Sequence, residues 1–112
     1  MSEKELKQLL AVVKKELQTI LGDNLVKIIL YGSYANNTFN EESDVDIMVL
    51  TDLTEEDIKQ IDEKISELVL ELSLEYNVFV SIFIKPAETF NKFSDVIPFY
   101  NNVLDHGIIL YE

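Results

Sequence analysis

Apolar positions recur along residues 1–21 with the 3.6-residue period of an α-helix, so one face of this segment is apolar and the other polar. Ser2 and Glu5 have the spacing of a capping box, which marks a helix start, and Gly22 is typical of a helix end. The sequence therefore predicts an amphipathic helix that packs on a core through one set of residues: Leu6, Leu9, Leu10, Val13, Leu17, Ile20 and Leu21.

Four apolar runs predict β-strands. The first two are residues 26–31 and 45–51, and residues 108–111 form a short last one. Residues 78–84 are almost wholly apolar, which predicts a strand covered on both faces. Pro86 should end that strand, because proline cannot donate to the hydrogen-bond ladder.

Helical segments separate these strands. A second helix should begin after Thr54, which can cap it, and end near Tyr76. Residues 87–93 predict a helical turn, and residues 97–106 predict a third helix that stops at Gly107. The apolar face of the second helix is expected at five positions: Ile58, Ile61, Ile65, Leu68 and Leu72.

This order of elements predicts an α/β (α+β) fold in which a mixed β-sheet packs against helices. At 112 residues the chain has the length of a single domain with one core, so residues 1–112 are interpreted as one domain. With 47% hydrophobic residues, the chain should form a folded globule.

The chemistry is concentrated between the first two strands. Gly32 and Ser33 follow the first strand, where a Gly-Ser step lets a phosphate approach the backbone N–H groups closely. Asp44 and Asp46 lead into the second strand, and alternation along a strand points both side chains the same way, with Cα atoms roughly 7 Å apart. The carboxylates of such a pair can together bind one divalent cation.

Charge and composition limit the kinds of partner and of site that the chain can have. The net charge is −12, and all 9 basic residues are lysines, so the chain should repel nucleic acid and suit a basic protein partner. With no cysteine, disulfides and Cys-type zinc sites are excluded. No apolar run approaches the roughly 20 residues of a membrane helix, and the N-terminus is no signal peptide, so a cytoplasmic protein is expected.

The pattern Gly32-Ser33, ten intervening residues, then Asp44-x-Asp46 resembles the nucleotidyltransferase superfamily that shares its catalytic fold with DNA polymerase beta. Within it, the chain is most similar to the minimal nucleotidyltransferase (MNT) group. The resemblance implies that Asp44 and Asp46 are catalytic and hold Mg²⁺. It also implies that Gly32 and Ser33 bind the phosphates of a nucleoside triphosphate, expected to be ATP.

The chain departs from the family pattern at Ser81. The resemblance implies a third acid on the strand after the second helix, where it would complete a second metal site, and this chain has a serine there. One Mg²⁺ site is therefore expected and the second lacks its acid. Glu41 or Glu42 could swing in from a loop, or both could be solvated surface charge, whereas Asp52 should lie some 20 Å along the strand.

A second departure follows the Gly-Ser step, where relatives usually read Ala-Arg-Gly and this chain reads Ala35-Asn36-Asn37. Loss of that arginine removes a fixed positive charge and should weaken triphosphate binding.

Other candidate residues are interpreted as structural. His106 is placed at the expected end of a helix, where a partly positive imidazole suits the helix dipole. The aromatic residues Phe90, Phe93, Phe99 and Tyr100 predict core packing. Any exposed part of that cluster would be a docking place for a partner.

Two functional hypotheses follow. By resemblance, the chain is an MNT-type antitoxin that transfers AMP from ATP to a hydroxyl, expected to be a tyrosine of a partner HEPN toxin. Alternatively, it is a catalytically impaired binding module that neutralises a protein partner by contact, which Ser81 favours. An α/β domain without a nucleotide site would leave the paired aspartates unexplained, and the oligomeric state is left open.

Overall fold

The computed structural model describes residues 1–36, 38, 40 and 43–112, and in them helices and strands follow the predicted order. The helices are α1 (Glu3–Leu21), α2 (Glu55–Gln60), α3 (Asp62–Tyr76), α4 (Ala87–Phe93) and α5 (Pro98–His106). The strands are β1 (Leu25–Tyr31), β2 (Val45–Thr51), β3 (Val80–Pro86) and β4 (Ile108–Tyr111).

The strands form one mixed sheet in the order β3-β2-β1-β4. Strand β1 lies antiparallel to both β2 and β4, whereas β2 and β3 are parallel. The parallel pair is joined through α2 and α3, because parallel strands need a long crossover connection. The predicted mixed sheet with helices packed against it is confirmed.

Each face of the sheet has its own apolar cluster, because successive side chains of a strand point to opposite faces. Residues such as Ile28 and Ile47 pack with the buried faces of α1 and α3. On the opposite face, a smaller cluster joins two helices to β1 and β2 through five residues: Ile29, Met48, Leu50, Phe90 of α4 and Val103 of α5.

Local sequence signals set the helix starts. The Ser2 hydroxyl accepts from the Glu5 N–H at 3.1 Å, and the Glu5 carboxylate accepts from the Ser2 N–H at 3.0 Å, so the predicted capping box is formed. Thr54 caps α2 in the same way by accepting from the Asp57 N–H at 3.2 Å. Gly22 ends α1 with φ +54°, a conformation that favours glycine.

Two predictions about these elements are corrected. The second helix is not continuous, because it breaks at Ile61 into α2 and α3. Strand β3 is not covered on both faces: it is an edge strand whose Phe83 is exposed. Strand β3 ends at Pro86, as predicted, and Pro86 pairs with Thr51; an edge position at a strand end tolerates proline because no further ladder bond is required there.

The aromatic cluster is divided between core and surface. Phe90 is fully buried and Tyr100 is partly buried against it, at a ring-centroid distance of 4.6 Å. Phe93 and Phe99 are exposed, so the expectation of core packing is wrong for them. Within the described ranges, no helix combines the length and the apolar content needed to cross a membrane.

Candidate active site

A tight turn follows β1. Gly32 has φ +76°, and its carbonyl oxygen accepts hydrogen bonds from the N–H groups of Ala35 and Asn36, both at 3.1 Å. The chain therefore reverses immediately after the strand, and Ser33 lies at the start of the turn. The Ser33 carbonyl oxygen accepts from the Thr38 N–H at 3.0 Å, which extends the turn.

The two aspartates lie at the beginning of β2. Asp44 is exposed just before the strand, and Asp46 is half-buried within it, on the same face as Met48. Asp46 pairs with Tyr31 of β1 on one side and with Ser81 of β3 on the other. The carboxylate of Asp46 therefore lies near the end of the sheet, between two neighbouring strands.

The turn and the carboxylate are in direct contact. A Cβ atom built on Gly32 would lie 2.5 Å from Oδ2 of Asp46, closer than real Cβ contacts. The positive φ favours glycine at position 32, and a Cβ there would force the Asp46 carboxylate to move. The structure therefore brings Gly32 and Asp46 together, as the sequence pattern predicts.

Negative charge at this position is energetically unfavourable without a cation. Burial raises the pKa of Asp46, and the neighbouring Asp44 raises it further. Burial, together with the charge of Asp46, also raises the pKa of Tyr31 to about 12. A bound cation would relieve the repulsion between the two carboxylates.

The donor set fits one Mg²⁺ ion. Carboxylate oxygens are the ligands that Mg²⁺ prefers, and one or two of them suffice when substrate phosphates complete the octahedron. No group of three or more His, Cys, Asp or Glu side chains converges in the part of the chain that the structure describes. Ser81 stands beside Asp46, where a third acid was expected, whereas Glu41 and Glu42 lie outside the described residues.

Asp52 does not extend this site. It follows the last residue of β2, at the strand end opposite to Asp46, and its N–H donates to the carbonyl oxygen of Asn24 at 3.1 Å.

A groove of about 250 Å³ adjoins the turn. His106, interpreted from the sequence as structural, is exposed and lines this groove. Pairing of β4 with β1, in which Leu30 faces Ile108, brings the end of α5 next to Gly32. Sequence reasoning missed this groove because the pairing joins distant parts of the chain. Its lining residues are Tyr31, Gly32, Asn36, Phe99, Asn102, Val103 and His106.

A larger apolar groove of about 500 Å³ lies between the end of α3, the start of β3 and the segment before β2. Ser43, the residue before Asp44, lines it together with Leu70, Leu74 and Phe79. Leu74 and Phe79 are 74% and 75% exposed, so this is a prominent apolar surface of the described residues.

We expect Asp46→Asn to be more stable than the unaltered protein at pH 7 in EDTA. Below the unfolded-state pKa of about 4, the carboxyl is protonated in both states. Because the pKa of Asp46 is raised in the folded state, the unaltered protein loses stability as the pH rises through the folded-state pKa. The difference in stability between Asp46→Asn and the unaltered protein should therefore decrease as the pH is lowered towards 4. Thermal denaturation between pH 4 and pH 8 measures this difference.

Asp52→Asn, at the opposite end of β2, is the matched control because it makes the same substitution away from the site. Addition of Mg²⁺ should stabilise the unaltered protein more than Asp46→Asn. A pH-independent difference, or an Asp46→Asn protein that is less stable in EDTA at pH 7, would contradict this account of the site.

Comparison with known proteins agrees with the geometry. The chain is 33% identical over 96 residues to a protein of Methanocaldococcus jannaschii with the provisional name protein adenylyltransferase MJ0141, covering 86% of this chain and 95% of the relative. A second protein of that organism, provisionally named protein adenylyltransferase MJ0604, is 32% identical and is matched over 97% of both chains.

Three solved structures share the fold. A chain in a double-substituted MntA–HpeT toxin–antitoxin complex has a TM-score of 0.61 at 22% identity, with 91% of this chain and 72% of that chain covered. A chain in the complex of an MNT antitoxin with a tri-AMPylated HEPN toxin from Shewanella oneidensis has a TM-score of 0.57 at 21% identity, covering 94% and 71%. A chain in a toxin–antitoxin complex with AMP-PNP has a TM-score of 0.57 at 22% sequence identity. The match covers 99% of this chain and 73% of that chain.

The family profile described as nucleotidyltransferase domain matches residues 6–109. This span contains β1 to β3, the start of β4, the Gly32 turn and both aspartates, and therefore most of the chain. The fold and the contact between the Gly32 turn and the Asp46 carboxylate agree with this match. The chain belongs to the nucleotidyltransferase domain family.

Proposed function

We propose that the protein is a Mg²⁺-dependent nucleotidyltransferase that moves AMP from ATP to a hydroxyl group of a protein partner. The observation that carries this proposal is the contact of Gly32 with the carboxylate of Asp46, whose pKa is raised by burial and by the charge of the neighbouring Asp44. A phosphate chain lying along the Gly32 turn would come within reach of both carboxylates.

The proposed roles follow from position. Asp44 and Asp46 hold the Mg²⁺ that accompanies the nucleotide, while the Gly32 backbone and the Ser33 N–H and hydroxyl bind the β- and γ-phosphates. Mg²⁺, when bound, neutralises charge on the phosphates. In the reaction, the acceptor oxygen forms a bond to the α-phosphorus, the bond to the bridging oxygen breaks, pyrophosphate leaves and the hydroxyl proton is released to solvent.

Three observations support a protein acceptor. Two relatives bear the provisional name protein adenylyltransferase, and one structural neighbour is complexed with a tri-AMPylated HEPN toxin. The apolar groove beside Asp44 offers a docking surface, and its Leu70 and Leu74 each follow an exposed acid, Glu67 and Glu71, by three residues on α3. The occupant we propose is a HEPN-type toxin with apolar and basic residues around an acceptor tyrosine.

A second candidate function is a binding module without turnover. Ser81 favours it, because this residue pairs with Asp46 at the position where the family pattern has an acid. Such a protein would neutralise its partner by contact, with Mg²⁺ and nucleotide as bound ligands.

The decisive experiment uses the purified protein with its co-purified partner, α-³²P-ATP and Mg²⁺. We expect label on the partner, and we expect Asp44→Asn and Asp46→Asn to lower it by about a hundredfold or more, because each removes a charge from the metal site. Asp52→Asn is the control that keeps the same substitution away from the site.

Metal-dependent ATP binding without label transfer would support the binding module. Absence of metal-dependent binding would contradict both functions.

Ser81→Asp tests the missing acid. Because the Ser81 position adjoins Asp46 across the parallel ladder, an aspartate there would add a third carboxylate to the metal site. We expect label transfer to increase about tenfold or more, and stability in EDTA to fall because a further like charge is added. Label transfer and thermal denaturation with and without Mg²⁺ measure both effects.

Ser81→Asn is the matched control for Ser81→Asp, since it has nearly the same shape without the charge. A Ser81→Asp protein that folds, gains more stability from Mg²⁺ than the unaltered protein and yet transfers no more label would show that the third carboxylate does not limit turnover.

Leu74→Asp tests the docking surface. A charge placed in the apolar groove should weaken partner binding and reduce label transfer by about tenfold, because an apolar contact is replaced by a carboxylate that must lose its hydration in the complex. Metal-dependent ATP binding should be unchanged. Val96→Asp is the control, because Val96 is similarly exposed, at 71%, and lies outside this groove. Equal effects of the two substitutions on label transfer would contradict the assignment.

A further inference from the structure

We infer that the groove beside Gly32 is the subsite for the nucleoside half of the nucleotide, with the base lying on Phe99. This inference rests on the proposed function, because it assumes that the phosphates lie at the Gly32 turn. Gly32 both contacts Asp46 and lines the groove. A nucleotide held by its phosphates at Gly32 would therefore extend its sugar and base into the groove.

The volume of the groove suits one base and part of a sugar. The groove measures about 250 Å³. Sites for drug-sized ligands have about 300–1,000 Å³, so this groove lies just below that range. It is too small for a folded protein segment.

An aromatic ring is held in position at the groove. Phe99 is 44% exposed, although it contacts two other rings. The edge of Tyr31 lies against it at a centroid distance of 5.4 Å and an interplanar angle of 74°, and Tyr100 lies 5.9 Å away. These contacts orient the Phe99 ring before any ligand binds, and its exposed surface is available for stacking with a base.

The polar side chains of the groove are two amides, one imidazole and the phenol of Tyr31. Asn36, Asn102 and His106 can each donate and accept hydrogen bonds, as base edges do, and asparagine pairs well with adenine. Neither lysine nor carboxylate occurs among the described lining residues. The lining therefore suits an uncharged base better than it suits a triphosphate, which requires positive charge.

The experiment compares ATP with inorganic triphosphate as ligands of the full chain in Mg²⁺, by isothermal titration calorimetry. Phe99→Leu keeps the apolar volume of the side chain and removes the flat ring. We expect the Kd for ATP to increase about tenfold or more, while the Kd for triphosphate stays unchanged. Phe99→Tyr should retain ATP binding, because its ring can still stack.

Leu104→Ala is the control on the same helix, since Leu104 is 42% exposed and does not line the groove. Asn102→Ala should reduce the difference in Kd between ATP and GTP, because the side chain that contacts the base edge is removed. Thermal denaturation verifies that each variant is folded.

Each outcome decides the inference. Equal weakening of ATP and triphosphate in Phe99→Leu would assign the groove to the phosphate tail and overturn the inference. An unchanged Kd for ATP would place the base elsewhere and also overturn it, as would an unaltered protein that binds neither ligand. If ATP binding depends on Phe99 but no label is transferred, the transfer function fails while the nucleoside subsite stands.

Discussion

The contact between the Gly32 backbone and the Asp46 carboxylate is the constraint on which the site depends. Antiparallel pairing of β1 with β2 sets Tyr31 opposite Asp46, so the residue after Tyr31 must pass over that carboxylate. Glycine is favoured there by φ +76°, and a Cβ would displace the carboxylate. The position of the turn beside the carboxylate follows from this register, whereas the repulsion between the two aspartates follows from their spacing of two residues along the chain.

The site has an energetic cost that the rest of the sheet offsets. Asp46 shares a face with Met48 and Leu50, which are fully or almost fully buried under α4 and α5, so the ionised carboxylate lies at the end of an apolar row. Burial and the charge of Asp44 both raise its pKa, which means that the folded state disfavours its ionised form. The apolar clusters on the two faces of the sheet hold this arrangement in place.

The sequence predicts features that depend on near neighbours in the chain. The capping box at Ser2, the strand limits of β2 and the spacing of Asp44 and Asp46 are all local signals, and the structure has them. Features set by distant pairing were missed. An apolar run such as β3 does not reveal what packs on each of its faces, so the prediction that both faces are covered was wrong. The groove at His106 requires the pairing of β4 with β1.

The residues beside Asp46 in the sheet determine how much charge the proposed site offers to a metal ion. Asp46 is flanked by Tyr31 and Ser81, so within the described residues its neighbours across the sheet add no charge to the two aspartates. A third acid would bind metal more strongly, but it would also increase the repulsion in the metal-free fold. With two carboxylates, the protein supplies only part of an octahedral shell, and nucleotide phosphates must complete it. In the proposed function, Mg²⁺ and nucleotide therefore each increase the affinity of the site for the other.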